Sequence, residues 1–82
     1  MDDNIVRACK KALTLCHYML NKQDDDFVRR KVKEIEFYMI NGEADASVEQ
    51  ARGVSKYIER NFDNVIGQNV VMDIEDLLDS RP

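Results

Sequence analysis

Proline is missing from every position but the last, Pro82, and glycine stands only at 42, 53 and 67. So few breakers leave long stretches free to coil into helix. Tryptophan is absent, and the soft metal ligands are only Cys9, Cys16 and His17. A zinc site needs three or four such ligands converging tetrahedrally. On a helix His17 points about 100° away from Cys16, so the three do not converge. The same geometry argues against a thiol and base acting as a nucleophile pair. Cys9 and Cys16 are seven positions apart, which on a helix separates their Cα atoms by roughly 10 Å, beyond the ~7 Å limit of a disulfide. Two unbridged thiols on an apolar face fit a reducing compartment.

Long apolar runs are also lacking. None approaches the ~18 residues of a membrane-spanning helix. The first residues, Met1-Asp2-Asp3-Asn4, are acidic where a secretory leader is basic. The expectation is a cytoplasmic protein that does not engage a membrane. There is no glycine-rich phosphate loop, no Gly-x-Ser-x-Gly and no His-Glu-x-x-His. Acids are abundant, but none falls on an apolar helix stripe, where burial would raise its pKa and suit it to acid–base work. A chain of 82 residues also has little room for a ligand pocket of roughly 300–1,000 Å³. The chain therefore reads as non-enzymatic, with no catalytic residue, cofactor or metal assigned.

What is present is amphipathic helix. The expectation is an all-α fold in a single helical domain, residues 1–82: a small three-helix bundle with a short C-terminal fourth helix. The first helix spans about 4–21, started by Asp3 or Asn4. Ile5, Cys9, Ala12, Cys16 and Leu20 make its stripe, widened by Val6, Ala8, Leu13, Leu15 and Met19. That arc covers about half the circumference, against ~100° for an ordinary surface helix, so the helix is placed centrally. The second spans about 26–40, capped by Asp24 or Asp25, with Val28, Val32, Ile35 and Met39 inward and a stop at Asn41-Gly42. Ser47-Val48-Glu49-Gln50 has the form of a capping box and starts the third, about 48–64. Ala51, Val54, Ile58, Phe62 and Val65 form its stripe. Gly67 then breaks the pattern, and a fourth helix covers about 70–80.

Charge is sorted along this frame. Residues 4–33 hold eight basic and three acidic residues, a net of +5; residues 34–82 hold four basic and eleven acidic, a net of −7. With Asp2 and Asp3 the total is −4. The basic half presents Arg7, Lys11 and Tyr18 on the first helix and Arg29, Arg30, Lys31 and Lys33 on the second. Phe37 lies four positions after Lys33 and seven after Arg30, on their face. Cations interleaved with rings suit phosphate and base contact, so this set is the candidate for nucleic acid. Against it stand a pI of about 4.9 and the neighbouring Glu34 and Glu36.

The acidic half offers a different surface. Ile74, Leu77 and Leu78 recur at the i, i+3, i+4 spacing of a helix laid in a partner's groove, flanked by Asp73 and Asp76. The competing reading docks these residues on their own bundle. Phe27, Phe37 and Tyr38 fall off the main stripe of the second helix, so each needs a neighbouring helix or a partner to cover it. The functional expectation is a small acidic interaction protein, an inhibitor, adaptor or anti-regulator. It would bind a protein partner with a basic surface through Ile74, Leu77, Leu78, Asp73, Asp76, Phe37 and Tyr38. A homodimer is the further partner expectation, and the alternative is a nucleic-acid-binding regulator using the basic face.

Overall fold

Aspartate starts three of the four helices. The computed structural model describes residues 1–80 and contains α1 (Asp3–Lys22), α2 (Asp26–Ile40), α3 (Ala44–Asn61) and α4 (Asn64–Asp79). The Asp2 carboxylate accepts the Asn4 N–H at 2.7 Å, Asp25 accepts Val28 N–H at 2.9 Å, and Asp63 accepts Ile66 N–H at 3.0 Å. Each satisfies a donor of the first turn that has no intrahelical partner. Helix α2 ends as its sequence indicates: Gly42 adopts φ +72°, a left-handed conformation that favours glycine.

The second half departs from the expected boundaries. Helix α3 begins at Ala44, one turn before the capping-box serine. Ala44-Asp45-Ala46 continues the helix backwards, so Ser47 is an interior residue. Its hydroxyl donates to the Ala44 carbonyl at 2.8 Å, and its side chain is buried. Helix α3 ends at Asn61, and Phe62 closes it instead of lengthening its stripe.

Gly67 does not break anything. It lies inside α4, buried, and a Cβ built on it would fall 2.5 Å from the Glu59 Cα. The glycine lets the backbones of α3 and α4 touch. The fourth helix is therefore 16 residues long, one more than α2.

The chain runs up, down, up, down. Asn4 donates from Nδ2 to the Leu77 carbonyl at 3.1 Å, and Lys11 pairs with Asp73 at 3.3 Å, so α4 runs antiparallel to α1. Phe27 stacks on Tyr57, and Lys31 donates to Gln50 at 2.6 Å, so α2 runs antiparallel to α3. Helices α1 and α3 touch each other and both remaining helices; α2 and α4 do not touch. The section is a rhombus with α1 and α3 on its short diagonal. The central position expected for α1 holds. The buried sets of the central pair mix small side chains, Ala8, Cys9, Ala12 and Cys16 on α1 and Ser47, Ala51 and Ser55 on α3, with large ones such as Leu15, Met19, Val54 and Ile58. Side chains from the flanks complete one core, with Val28, Val32 and Ile35 from α2 and Ile74 and Leu78 from α4. No helix among the described residues is long and apolar enough to cross a membrane.

Candidate interaction surface

The groups that would carry covalent or metal chemistry are placed apart. Cys9 and Cys16 are buried and unbridged. Burial pushes the Cys16 thiol up to about 12 and raises that of Cys9, where a hydrogen bond from Ser47 partly opposes the rise. Neither is a ready thiolate. His17 is exposed on α1. Among the described residues no three His, Cys, Asp or Glu side chains gather at one point.

Five of the seven residues of the basic face line two grooves, and Lys31 instead faces α3, where it donates to Gln50. Lys11 and Tyr18 line the groove between α1 and α4, together with Lys10, Ile66 and Val70; Arg7 shares their helix face. Arg29, Arg30 and Lys33 line the groove between α1 and α2, beside His17 and Leu20. Four of the cations also meet acids within the chain. Arg7 pairs with Asp3 at 3.2 Å, Lys11 with Asp73 at 3.3 Å, and Lys31 with Glu34 at 3.1 Å. Arg29 is held by Asp24 at 3.0 Å and by Asp26. Tyr18 carries the Lys22 ammonium 5.0 Å above its ring. Arg30 and Lys33 are exposed and make no ion pair among the described residues.

The acidic and apolar set of the last helix is largely built into the bundle. Ile74 and Leu78 are buried, Leu77 is half-buried, and Asp73 is the partner of Lys11. Arg52 grips Glu75 with two hydrogen bonds of 2.8 and 2.9 Å, which ties α4 to α3. In this fold Ile74, Leu77 and Leu78 dock on their own bundle, so they do not form a free anchor. Of that set Asp73 and Asp76 stay exposed, Asp73 in its pair with Lys11. The outward stripe of α4 is made instead of Val65, 68% exposed, and Met72, 56% exposed, with Asp76 and Asp79. The sequence placed Val65 on the stripe of the third helix, and only a fourth helix that starts at Asn64 sets it on one face with Met72.

Helix α2 differs on its outer side. Phe27 is covered: its ring lies 4.4 Å from that of Tyr57, which in turn meets Phe62 at 5.7 Å. The Tyr57 hydroxyl donates to Asp25 at 3.1 Å, tying this aromatic cluster to the cap of α2. Burial and this carboxylate raise the Tyr57 pKa. Phe37 finds no such cover. It is 59% exposed, with only the edge of half-buried Tyr38 beside it, 5.6 Å between centroids. Ile40, three positions on, is 85% exposed. Its signal in the sequence was its angle, about 60° from Phe37 and roughly 110° from the centre of the Val28–Val32–Ile35 stripe. Arg30, Lys33, Phe37 and Ile40 thus form one outward strip, cationic toward the N-terminus of α2 and apolar toward its C-terminus.

No family model matches the chain, and no curated protein or solved structure matches it.

Proposed function

We propose that this chain is a non-enzymatic interaction protein, an inhibitor, adaptor or anti-regulator, whose protein partner docks on the outer strip of α2. The observation that carries the reading is the exposure of Phe37 and Ile40, 59% and 85%, beside two cations that make no ion pair among the described residues. Aromatic and arginine side chains dominate binding energy at interfaces, and apolar groups left in water gain most from being covered. Arg30 and Lys33 would steer an acidic partner into register, and Phe37 and Ile40 would hold it. The partner of this strip is therefore acidic, unlike the basic one that the tail residues implied.

Capture experiments with full-length protein test the reading. Partners held by the natural chain should be lost from the Phe37→Ser/Ile40→Ser variant, with its helical circular dichroism unchanged. Retention of every partner by that variant would overturn the assignment.

Nucleic acid is the second reading, favoured by the groove of His17, Arg29, Arg30 and Lys33. Phosphate would have to displace Asp24 and Asp26 from Arg29 and would reach few other unpaired cations. Anisotropy with single-stranded RNA and duplex DNA at low salt decides it: binding that falls steeply with salt and with Arg30→Ala/Lys33→Ala supports it. Absence of binding removes it.

A further inference from the structure

Among the described residues two outward strips, one on α2 and one on α4, lie uncovered on opposite flanks. Read from its C-terminal end, α2 offers Phe37, then Lys33 four positions away, then Arg30 seven positions away. Read from its N-terminal side, α4 offers Met72, then Asp76 four positions away, then Asp79 seven positions away. All six residues are exposed. Both elements are α-helices with the same rise per residue, so equal intervals are equal distances. Laid antiparallel, the two strips match at every step: Phe37 on Met72, Lys33 on Asp76, Arg30 on Asp79. Ile40 then falls opposite Asn69, between Val65 and Met72.

We propose that the occupant of the α2 strip is the α4 strip of a second copy of this chain. The proposal rests on the reading of α2 as a docking face and names its partner. A parallel arrangement with Phe37 on Met72 would set Arg30 on Val65 and Lys33 on Gln68 and leave Asp76 and Asp79 without cations. A symmetric parallel α2–α2 pairing would bring two copies of Arg30 and Lys33 together, and a symmetric antiparallel one centred on Phe37 would join the rings but give both cations no acid on the facing strip. The antiparallel α2–α4 pairing alone joins opposite charges and apolar groups in one register.

The position of the strips fixes the assembly. Since α2 and α4 do not touch and flank the central pair on opposite sides, one copy can use both at once. The contact is heterologous, with each copy inverted relative to the last, so it repeats as an open array. One helix-on-helix contact falls below about 1,200 Å², the range of weak and transient interfaces. Association should therefore appear as concentration is raised and recede as salt screens the paired charges.

Charge reversal tests this in full-length protein. Arg30→Glu/Lys33→Glu makes both strips acidic; Asp76→Lys/Asp79→Lys makes both basic. Arg30→Glu places an acid toward the α2 N-terminus, and both aspartate changes place cations in or near the last turn of α4. These suit the helix dipoles, so the folds should survive, which circular dichroism would verify. By sedimentation velocity the natural chain should pass beyond dimer mass as concentration rises. Each reversed variant should associate about tenfold more weakly or worse. An equimolar mixture of the two should recover association, because each then meets its opposite. Backbone amide shifts should move with concentration around Phe37 and Ile40 and around Met72 and Asp76 together.

A natural chain that stays monomeric throughout overturns the proposal. So does a dimer that both variants retain, a mixture that stays monomeric, or shifts confined to α2, which would mark the symmetric pairing. Failure here is separable from failure of α2 as a docking face. A monomeric chain that still captures a partner through Phe37 and Ile40 loses only the self-pairing.

Discussion

Helix α4 sets Gly67 against the Glu59 backbone, buries Ile74 and Leu78, and is gripped by Arg52 through Glu75. Helix α2, on the opposite flank of the same central pair, buries Val28, Val32 and Ile35 and leaves Phe37 and Ile40 in water. By charge alone the acidic last helix looked like the part held out to a partner. The structure makes it a structural wall and leaves the larger apolar exposure on α2. Acidity along a helix records what faces water, not whether the opposite face is docked. The contrast is one between a flank that holds the fold and a flank that is available, and it can be attacked from either side.

The largest effect should follow removal of residues 68–82. A chain ending at Gly67 loses Ile74, Leu78 and the Glu75 carboxylate, and it uncovers the α4 sides of both α1 and α3. A bundle this small has only a few kcal/mol in reserve. We expect no cooperative unfolding transition by circular dichroism. A truncated chain that melts cooperatively would make α4 an appendage and erase the contrast with α2.

Gly67→Ala should come next. The added Cβ would meet backbone atoms of Glu59 at 2.5 and 2.7 Å, so the two helices must part. Overpacking of this kind costs about 1–3 kcal/mol. Urea denaturation would read it as a lower midpoint with an unchanged slope. No loss would mean that α3 and α4 are not in backbone contact.

These cases show what the sequence made legible and what it hid. The approximate bounds of α2 were readable, with the cap left between Asp24 and Asp25, because an aspartate cap and an Asn-Gly stop are local signals. Gly67 was not readable. A glycine that ends a helix and a glycine that lets two helices touch look alike until the second helix is in place. Ser47 carries a true capping-box pattern, but Ala44 and Ala46 extend the helix past it. Among candidate site residues, periodicity marked Phe27 and Phe37 alike as off the stripe. Only the tertiary fold separates them, by bringing Tyr57 over Phe27 and nothing comparable over Phe37. The spacing of Ile74 and Leu78 is equally that of a docked helix and of an anchor, so burial had to decide.

The central pair that both flanks pack against sets the next prediction. A thiol raised on folding contributes stability that is complete below its unfolded pKa, near 9, and lost as pH climbs toward the folded value of about 12. For Cys16 that loss should be on the order of 1 kcal/mol by pH 10. Cys9 and Tyr57 are raised too, so they act in the same direction. Denaturant midpoints at pH 7 and pH 10 measure it. The alkaline loss should shrink in Cys16→Ala, and an equal loss in both proteins would show that Cys16 is not buried in the seam.

Gly53→Ala should move stability the other way. Gly53 lies exposed within α3, and an added Cβ would meet nothing within 4 Å. Alanine there removes the entropic penalty of glycine in a helix, a gain of about 0.5–1 kcal/mol. Set beside Gly67, the same substitution on the same helix pair should change sign. A loss at both positions would mean that the face around Gly53 is covered in solution.

The smallest effect on stability should come from Phe37→Ser and Ile40→Ser, and it bears most directly on function. A surface substitution that removes no packed contact changes stability by no more than about 0.5 kcal/mol. Phe37 keeps one ring edge, against Tyr38, and Ile40 is almost free of the bundle. Thermal melts at low concentration should therefore coincide with that of the natural chain. Where the strip is engaged by a partner, or by a second copy at high concentration, the same substitutions should be conspicuous. A natural chain whose melting temperature rises with its own concentration, while the double variant's does not, would locate the effect in association, because binding only the folded form raises apparent stability by mass action. A drop of more than ~1 kcal/mol in dilute protein would instead place both side chains in a packed core. Helix α2 would then be as structural as α4, and its outer strip would not be available to a partner.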